Sequence, residues 1–396
     1  MSNTLIKLNA DLKALTDEGF EVSVEGGYLL IHNVPYVDSA KQVRRGILIS
    51  KLDLAGDKTV TPSTHIALFA GDHPCNADGE KLRHMEHSGN TERISDSITA
   101  KHSFSSKPTE GYPDYYAKMT TYEDMISRHA RQIDPAATAR TGNVIMSSNP
   151  DSVFKYEDTA SSRVGINTMS HKLRGLRIDI IGLGGTGAYI LDHVCKTHVH
   201  DIHIYDDDDL LQHNAFRTPG AIPPRILGRK MKKVDYYGRY YGRMRNFIFP
   251  HTHRIDASNV DLLQGTDFVF ICIDNGPAKK PIVEWLEAHD IPFIDVGMGI
   301  DVVNDALAGL LRVTLSTPSK RDHVRAKNRI PFTGGHGNDV YATNIQISDL
   351  NSLNANLAVI TWKKLFGFYA DSDHEHNLIF MIDGSELIGE DEDDES

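Results

Sequence analysis

The chain has 396 residues, enough for about two domains. Its 42 basic and 54 acidic residues give a net charge of −12, which argues against a nucleic-acid binder relying on phosphate neutralisation. Three widely spaced cysteines without a C-x-x-C argue against a disulfide framework or a cysteine-cornered zinc site, and for a reducing cytoplasm. The opening MSNTLIKLNADLKALTDEGF interleaves charges every few residues, so neither a secretory signal nor a membrane span is expected.

In chain order, residues 5–15 have helical spacing. Residues 20–24, 28–31, 47–52 and 65–69 read as short strands punctuated by Gly, Pro and Asp. Residues 70–110 are polar and read as loops. Residues 112–131 read as a helix, with Tyr115, Met119, Tyr122 and Ile126 on one face. Residues 133–149 are turn-rich and read as a linker, with 141–146 a candidate strand. This predicts a smaller α+β domain over residues 1–150.

The second domain, 151–376, centres on a buried strand at 178–181, interrupted only by Asp179. The turn Gly182-Leu183-Gly184-Gly185-Thr186-Gly187 follows, then a helix with Ala188, Leu191 and Cys195 on one face. A second strand at 202–205 ends in Asp206. Strand, glycine turn, helix, strand and terminal acid form the layout of a dinucleotide-type βαβ unit. Gly182, Gly184, Gly185 and Gly187 let the backbone turn tightly and approach a phosphorylated ligand at the helix N-terminus. Asp206 is placed to accept hydrogen bonds from ribose hydroxyls. Further strands are expected at 267–273, 292–296, 306–315 and 341–347, and an apolar helix at 350–369. The first of these ends in Asp274-Asn275, where Asp274 is either a magnesium-side carboxylate or the cap of the next helix. The acidic run within 377–396 reads as a solvated tail. The 20 histidines, His198, His200, His203, His251 and His253 among them, show no ligand spacing and read as ordinary surface or core residues.

After Asp206 come Asp208, Asn214 and Arg217 in the pattern D-x-D-x-x-x-x-x-N-x-x-R. With the glycine turn and Asp274-Asn275, this series resembles the ThiF/MoeB/HesA family, which includes the adenylation domains of ubiquitin-activating enzymes. The resemblance covers roughly residues 155–370. It implies a Rossmann-like α/β fold with a central, mostly parallel sheet. It also implies bound ATP with Mg²⁺ held near Asp274, and the C-terminal glycine of a ubiquitin-like protein as co-substrate. Relatives carry a phosphate-binding lysine at the start of the helix opened by Gly228-Arg229-Lys230-Met231-Lys232-Lys233. Spacing from Arg217 favours Lys230, and the local context favours Lys233. An arginine upstream of the glycine turn, often serving the partner subunit's site, maps to Arg163, and the resemblance implies a homodimer. The N-terminal domain loosely resembles ubiquitin-conjugating enzymes at His73-Pro74-Cys75, where Cys75 replaces the usual Asn and no second cysteine follows where the nucleophile should be.

The implied reaction is attack of a carboxylate on the α-phosphate of ATP, which demands charge neutralisation and alignment rather than a general base. Arg217, Lys230 or Lys233, Arg163 and Mg²⁺ on Asp274 would meet that demand, and Asn214 would bridge Asp206 to the phosphates. Cys195 on a packed helix face and Cys272 inside a strand are expected to be inert, leaving Cys75 as the accessible thiol. Direct transfer of the adenylate is therefore the first expectation, with Cys75 or a Ser or Thr hydroxyl in 316–343 as the other acceptors, and no thioester is expected on the core domain itself. The alternatives are a sulfur-carrier adenylyltransferase, an NAD-dependent oxidoreductase and a non-catalytic nucleotide-sensing scaffold. The oxidoreductase leaves the Asp-Asp-Asn-Arg series unexplained.

Overall fold

The apolar alternation after residue 20 pairs into a meander that dominates the first half of the chain. The computed structural model describes residues 2–88, 91–95, 97–144, 151–156, 158, 167–332 and 345–392. The chain divides into two units, Met1–Ile145 and Met146–Ser396.

In the first unit the helix expected at 5–15 breaks into α1 (Ser2–Leu8) and α2 (Ala10–Asp17). Asn9 makes the break: its backbone is extended, and its Nδ2 donates to Leu5 O at 2.8 Å and Asp57 O at 2.9 Å. Strands β1 (Glu21–Glu25), β2 (Tyr28–Val37), β3 (Val43–Lys51) and β4 (Ile66–Ala70) follow. The stretch read as loops adds β5 (Glu86–Ser88) and β6 (His102–Ser105), because Phe104 is fully buried in the core. The six-stranded antiparallel sheet runs β1-β2-β3-β4-β6-β5. Helix α3 (Tyr115–Ile133) is capped by Asp114, which accepts from Ala117 N at 2.8 Å, and packs Tyr115, Met119, Tyr122 and Ile126 into that core. Residues 141–144 form no strand, and 145–146 lie outside the described residues.

The second unit is an eight-stranded mixed sheet. Its strands are β7 (Arg177–Ile181), β8 (Asp201–Tyr205), β9 (Ile248–His251), β10 (Phe268–Ile271), β11 (Phe293–Val303), β12 (Ala306–Ser316), β13 (Glu375–Met381) and β14 (Glu386–Glu392). The order is β9-β8-β7-β10-β11-β12-β13-β14, parallel from β9 to β11 and antiparallel beyond. This is a Rossmann-like sheet with an antiparallel extension. The order reverses between β7 and β10, the switch point where such sheets leave a crevice at their carboxyl ends. Helices α4 (Gly185–Val194) and α8 (Ser348–Leu365) share one core with Ile178, Ile180, Phe268 and Phe270; α7 (Gly276–Ala288) joins the other, with Ile181 and Val269. The interrupting Asp179 is fully buried, with the Arg177 guanidinium 3.0 Å away and the Tyr205 hydroxyl donating at 3.2 Å.

Two expectations are corrected. No strand forms at 345–347, and 341–344 lie outside the described residues. The acidic stretch is β-sheet as far as Glu392, not a solvated tail. Ile379 pairs with Ile388, and Asp391 draws Arg329 to 2.9 Å, with Lys327 also bound, so its charges meet cations distant in sequence. No helix among the described residues is long and apolar enough to cross a membrane.

Candidate functional site

A cavity of about 390 Å³ opens where β7 and β10 end. The glycine turn forms one side of it. Gly182 has φ +91° and a Cβ there would lie 2.8 Å from Cys272 O. A Cβ on Gly187 would lie 2.0 Å from Gly182 O, so the turn closes only without that side chain. Gly184, the residue before α4, would meet nothing within 4 Å, so the space ahead of the helix N-terminus is open to a ligand.

Asp206 is buried at the end of β8, with Oδ2 accepting from Leu183 N at 2.7 Å and Oδ1 from Asp208 N at 2.9 Å. The residue expected at a ribose thus also ties the glycine turn to β8. Burial pushes its carboxyl above the ordinary range, opposed by Lys233 and the two N–H groups. Lys233 opens helix α6 (Lys233–Tyr241), after α5 (Pro224–Leu227), and is buried. Its Nζ lies 2.6 Å from Asp208 Oδ2 and 3.3 Å from Asp206 Oδ1, and that bond holds the Asp208 carboxyl below its ordinary value. Lys230 sits in a left-handed turn at φ +48°, is exposed and does not line the cavity. Of the two lysines, only Lys233 lines the cavity.

Arg217 lines the cavity, and its buried Nε has no hydrogen-bond partner among the described residues. Asp274 also lines it and is exposed; the cap of α7 is Asn275, whose Oδ1 accepts from Ala278 N at 3.1 Å. Asn214 is buried and does not line the cavity; its Oδ1 accepts from Leu211 N at 2.8 Å and closes the local turn. Arg163 lies outside the described residues. A smaller lobe of about 200 Å³ shares Gly182, Asp206, Asp208 and Asp274, and adds His253 and Arg254. The open helix end, the cationic side chains and the unpaired Arg217 Nε fit a triphosphate, and the Asp274 carboxylate is a hard oxygen donor of the kind that would hold a magnesium ion.

The thiol expectations change. Cys75 is 1% exposed, held in bridges to Val37 and Lys81, and burial raises its pKa. Cys195 is fully buried and its thiol is pushed up to about 12. Cys272 lies just past β10, half-buried against the cavity, and burial raises its pKa too.

Several residues escaped sequence reasoning. Asn351 in α8 accepts from Thr186 Oγ1 at 3.1 Å and donates to Arg217 O at 3.2 Å, clamping the glycine turn to the arginine. A Cβ on Gly185 would lie 2.0 Å from its Nδ2. Lys279, Asp295 and Arg312 form a buried ion cluster at the cavity wall. The available signal was the polar pair Asn351 and Asn354, three apart on a buried and mostly apolar helix face.

Residues 132–304 match the ThiF family, and residues 10–159 match a domain of unknown function, DUF6791. The tRNA threonylcarbamoyladenosine dehydratase of Haemophilus influenzae is 23% identical over 133 residues, 32% of this chain and 49% of that protein. The chain thus spans about half the length of the curated relative it matches. Among solved structures, the Microcin C7 biosynthetic enzyme MccB with N-formylated MccA is 15% identical, with a TM-score of 0.47 over 59% of this chain and 70% of that one. PaaA is 17% identical, with a TM-score of 0.44 over 59% of this chain and 79% of that one.

Proposed function

From the premise that residues 132–304 are a ThiF-family domain, we propose that this chain adenylates a carboxylate with ATP. The observation that carries the reading is convergence. The glycine turn, Arg217, Lys233 with its two aspartates, and Asp274 come from separate segments and line one cavity at the switch point.

The triphosphate lies across the open end of α4, its charge met by Arg217 and Lys233. A magnesium ion beside Asp274 would supply further neutralisation of the phosphate oxygens. The acyl carboxylate oxygen attacks the α-phosphorus, the bond to the bridging oxygen of the β-phosphate breaks, and pyrophosphate leaves with that electron pair. Lys233 is held by Asp208 and Asp206, so its ammonium is oriented before substrate arrives. The acyl donor we propose is the C-terminal glycine of a ubiquitin-like protein, and the working state a homodimer with Arg163 acting across it. Transfer proceeds directly from the adenylate, a reading supported by the burial that raises the pKa of all three thiols.

The test is ATP–pyrophosphate exchange by the full chain with Mg²⁺ and ubiquitin-like proteins ending in glycine. Exchange that disappears in Asp274→Ala with the fold retained supports the reading. Absence of exchange with every such partner, alongside NAD reduction, ends it. Mixing Arg163→Ala with Asp274→Ala chains restores activity if the arginine acts in trans.

A further inference from the structure

Four cations line the cavity: Arg217, Lys233, Lys279 and Arg312. Three of them are fixed by carboxylates, Lys233 by Asp208 and Asp206, Lys279 and Arg312 by Asp295. The Arg217 side chain makes no hydrogen bond or ion pair among the described residues, and its buried Nε keeps an open donor. An arginine without a side-chain partner retains its rotamer freedom, so its placement depends on the backbone that carries it.

That backbone is held on both sides. Arg217 N donates to Asn214 O at 3.1 Å, and Arg217 O accepts from Asn351 Nδ2 at 3.2 Å. A carbonyl only accepts, which assigns the amide: Asn351 Oδ1 is the acceptor, and the Thr186 hydroxyl donates to it at 3.1 Å. Thr186 stands in the first turn of α4, whose open end is the other anion-attracting element of the cavity. Asn351 is fully buried in the first turn of α8, where Ser348 Oγ also meets Tyr189 Oη of α4 at 2.6 Å. One side-chain amide thus sets the arginine in register with the helix end. Gly185 makes room for it. A Cβ there would lie 2.0 Å from Asn351 Nδ2, 2.3 Å from its Cγ and 2.5 Å from its Oδ1. The missing side chain serves the chain's own asparagine, not the approach of a ligand.

We propose that Asn351 is a positioning residue that holds Arg217 against the N-terminus of α4 for a triphosphate, with Gly185 as the position that admits its amide. The proposal rests on the adenylation reading in one respect: the anion is the triphosphate of ATP. Asn351 does not line the cavity, so it acts through Arg217 and Thr186.

The experiment is calorimetric titration of the full chain with Mg²⁺ and the non-hydrolysable analogue AMPCPP, beside a thermal melt of each variant. Asn351→Ala binds AMPCPP about tenfold weaker than wild type, the scale of hydrogen bonds lost from a buried amide. Arg217→Met also binds more weakly, and Asn351→Ala adds nothing in that background, because the arginine it places is gone. Gly185→Ala pushes the amide aside, so it lowers the melting temperature and weakens AMPCPP. Adding Asn351→Ala to it frees the space: the melting temperature recovers toward wild type while AMPCPP binding stays weak. An amide that only fills space predicts the opposite, with affinity returning alongside the melt. If Asn351→Ala does not fold by itself, the double variant carries the comparison with wild type. The proposal is overturned if Asn351→Ala or Arg217→Met binds AMPCPP as tightly as wild type. It is also overturned if the Asn351→Ala effect persists in full beside Arg217→Met, or if the double variant regains affinity together with stability. A wild type that binds no AMPCPP overturns the adenylation reading and this proposal with it, whereas the other outcomes leave that reading standing.

Discussion

The ion cluster at Asp295 makes a prediction whose sign is unusual. Asp295→Asn leaves Lys279 and Arg312 facing each other across a neutral amide. The side chains of Asp295, Lys279 and Arg312 are 0%, 3% and 12% exposed, so water relieves little of the charge. Removing one partner of a buried pair costs about 3–5 kcal/mol. Lys279→Met keeps the Asp295–Arg312 pair and an apolar stem of similar length, and costs about 1–2 kcal/mol. Combining the two removes one of the stranded cations, so the double variant is more stable than Asp295→Asn alone. The assay is urea unfolding followed by tryptophan fluorescence. The chain's two tryptophans, Trp285 and Trp362, both lie in the second unit, so the signal reports on the unit that carries the cluster. A double variant as unstable as the sum of the singles would show that charge balance is not what Lys279 contributes.

Gly187→Ala would place a Cβ 2.0 Å from Gly182 O, and that clash outweighs the helix-propensity gain of about 1 kcal/mol. It lowers the melting temperature, and an unchanged melt would show that the turn can relax. Burial, with Arg177 and His251 adding to it, pushes the pKa of His203 down to about 4. The unfolded chain, titrating near about 6.5, takes up that proton first, so stability is full above that value and falls as pH drops toward 4. His203→Phe flattens that slope of the urea midpoint, and an unaltered slope refutes the assignment. Burial raises the Asp391 carboxyl, but bonds from Lys327 and Arg329 outweigh it and hold it below the ordinary range. A depressed carboxylate stabilises above the unfolded value of about 3.9 and loses that effect as pH falls through the folded one. Asp391→Asn therefore costs about 1–2 kcal/mol at pH 7 and progressively less as pH falls below the unfolded value, read by denaturant midpoints at each pH.

What could be read from the sequence was what a short segment states by itself. The glycine turn, Asp206 at the end of its strand and Asp274 at the end of another announce a nucleotide crevice, because parallel strands place their carboxyl ends together whatever the rest of the chain does. The N-terminal meander was legible from its alternation. The break at Asn9 was not, since it depends on a hydrogen bond to Asp57, far along the chain.

The unread half of the cavity follows a different logic. Arg312 reaches Asp295 because β12 pairs with β11 in the register that sets it opposite Gly297, and no local pattern states a register. The terminal acids looked like a solvated run because Lys327 and Arg329, which receive Asp391, lie some sixty residues earlier. Lys233 differs from both, because helical phase alone could have chosen it over Lys230. It stands four residues before Tyr237 and eight before Tyr241, on the face that α6 buries, whereas Lys230 precedes the helix. A cation on the buried stripe of an amphipathic helix must meet an anion, and the nearest acids ending a strand were Asp206 and Asp208. The buried lysine of the 230–233 cluster was therefore decidable from periodicity and charge, while the pairing of Asp295 with Arg312 required the register of an antiparallel pair.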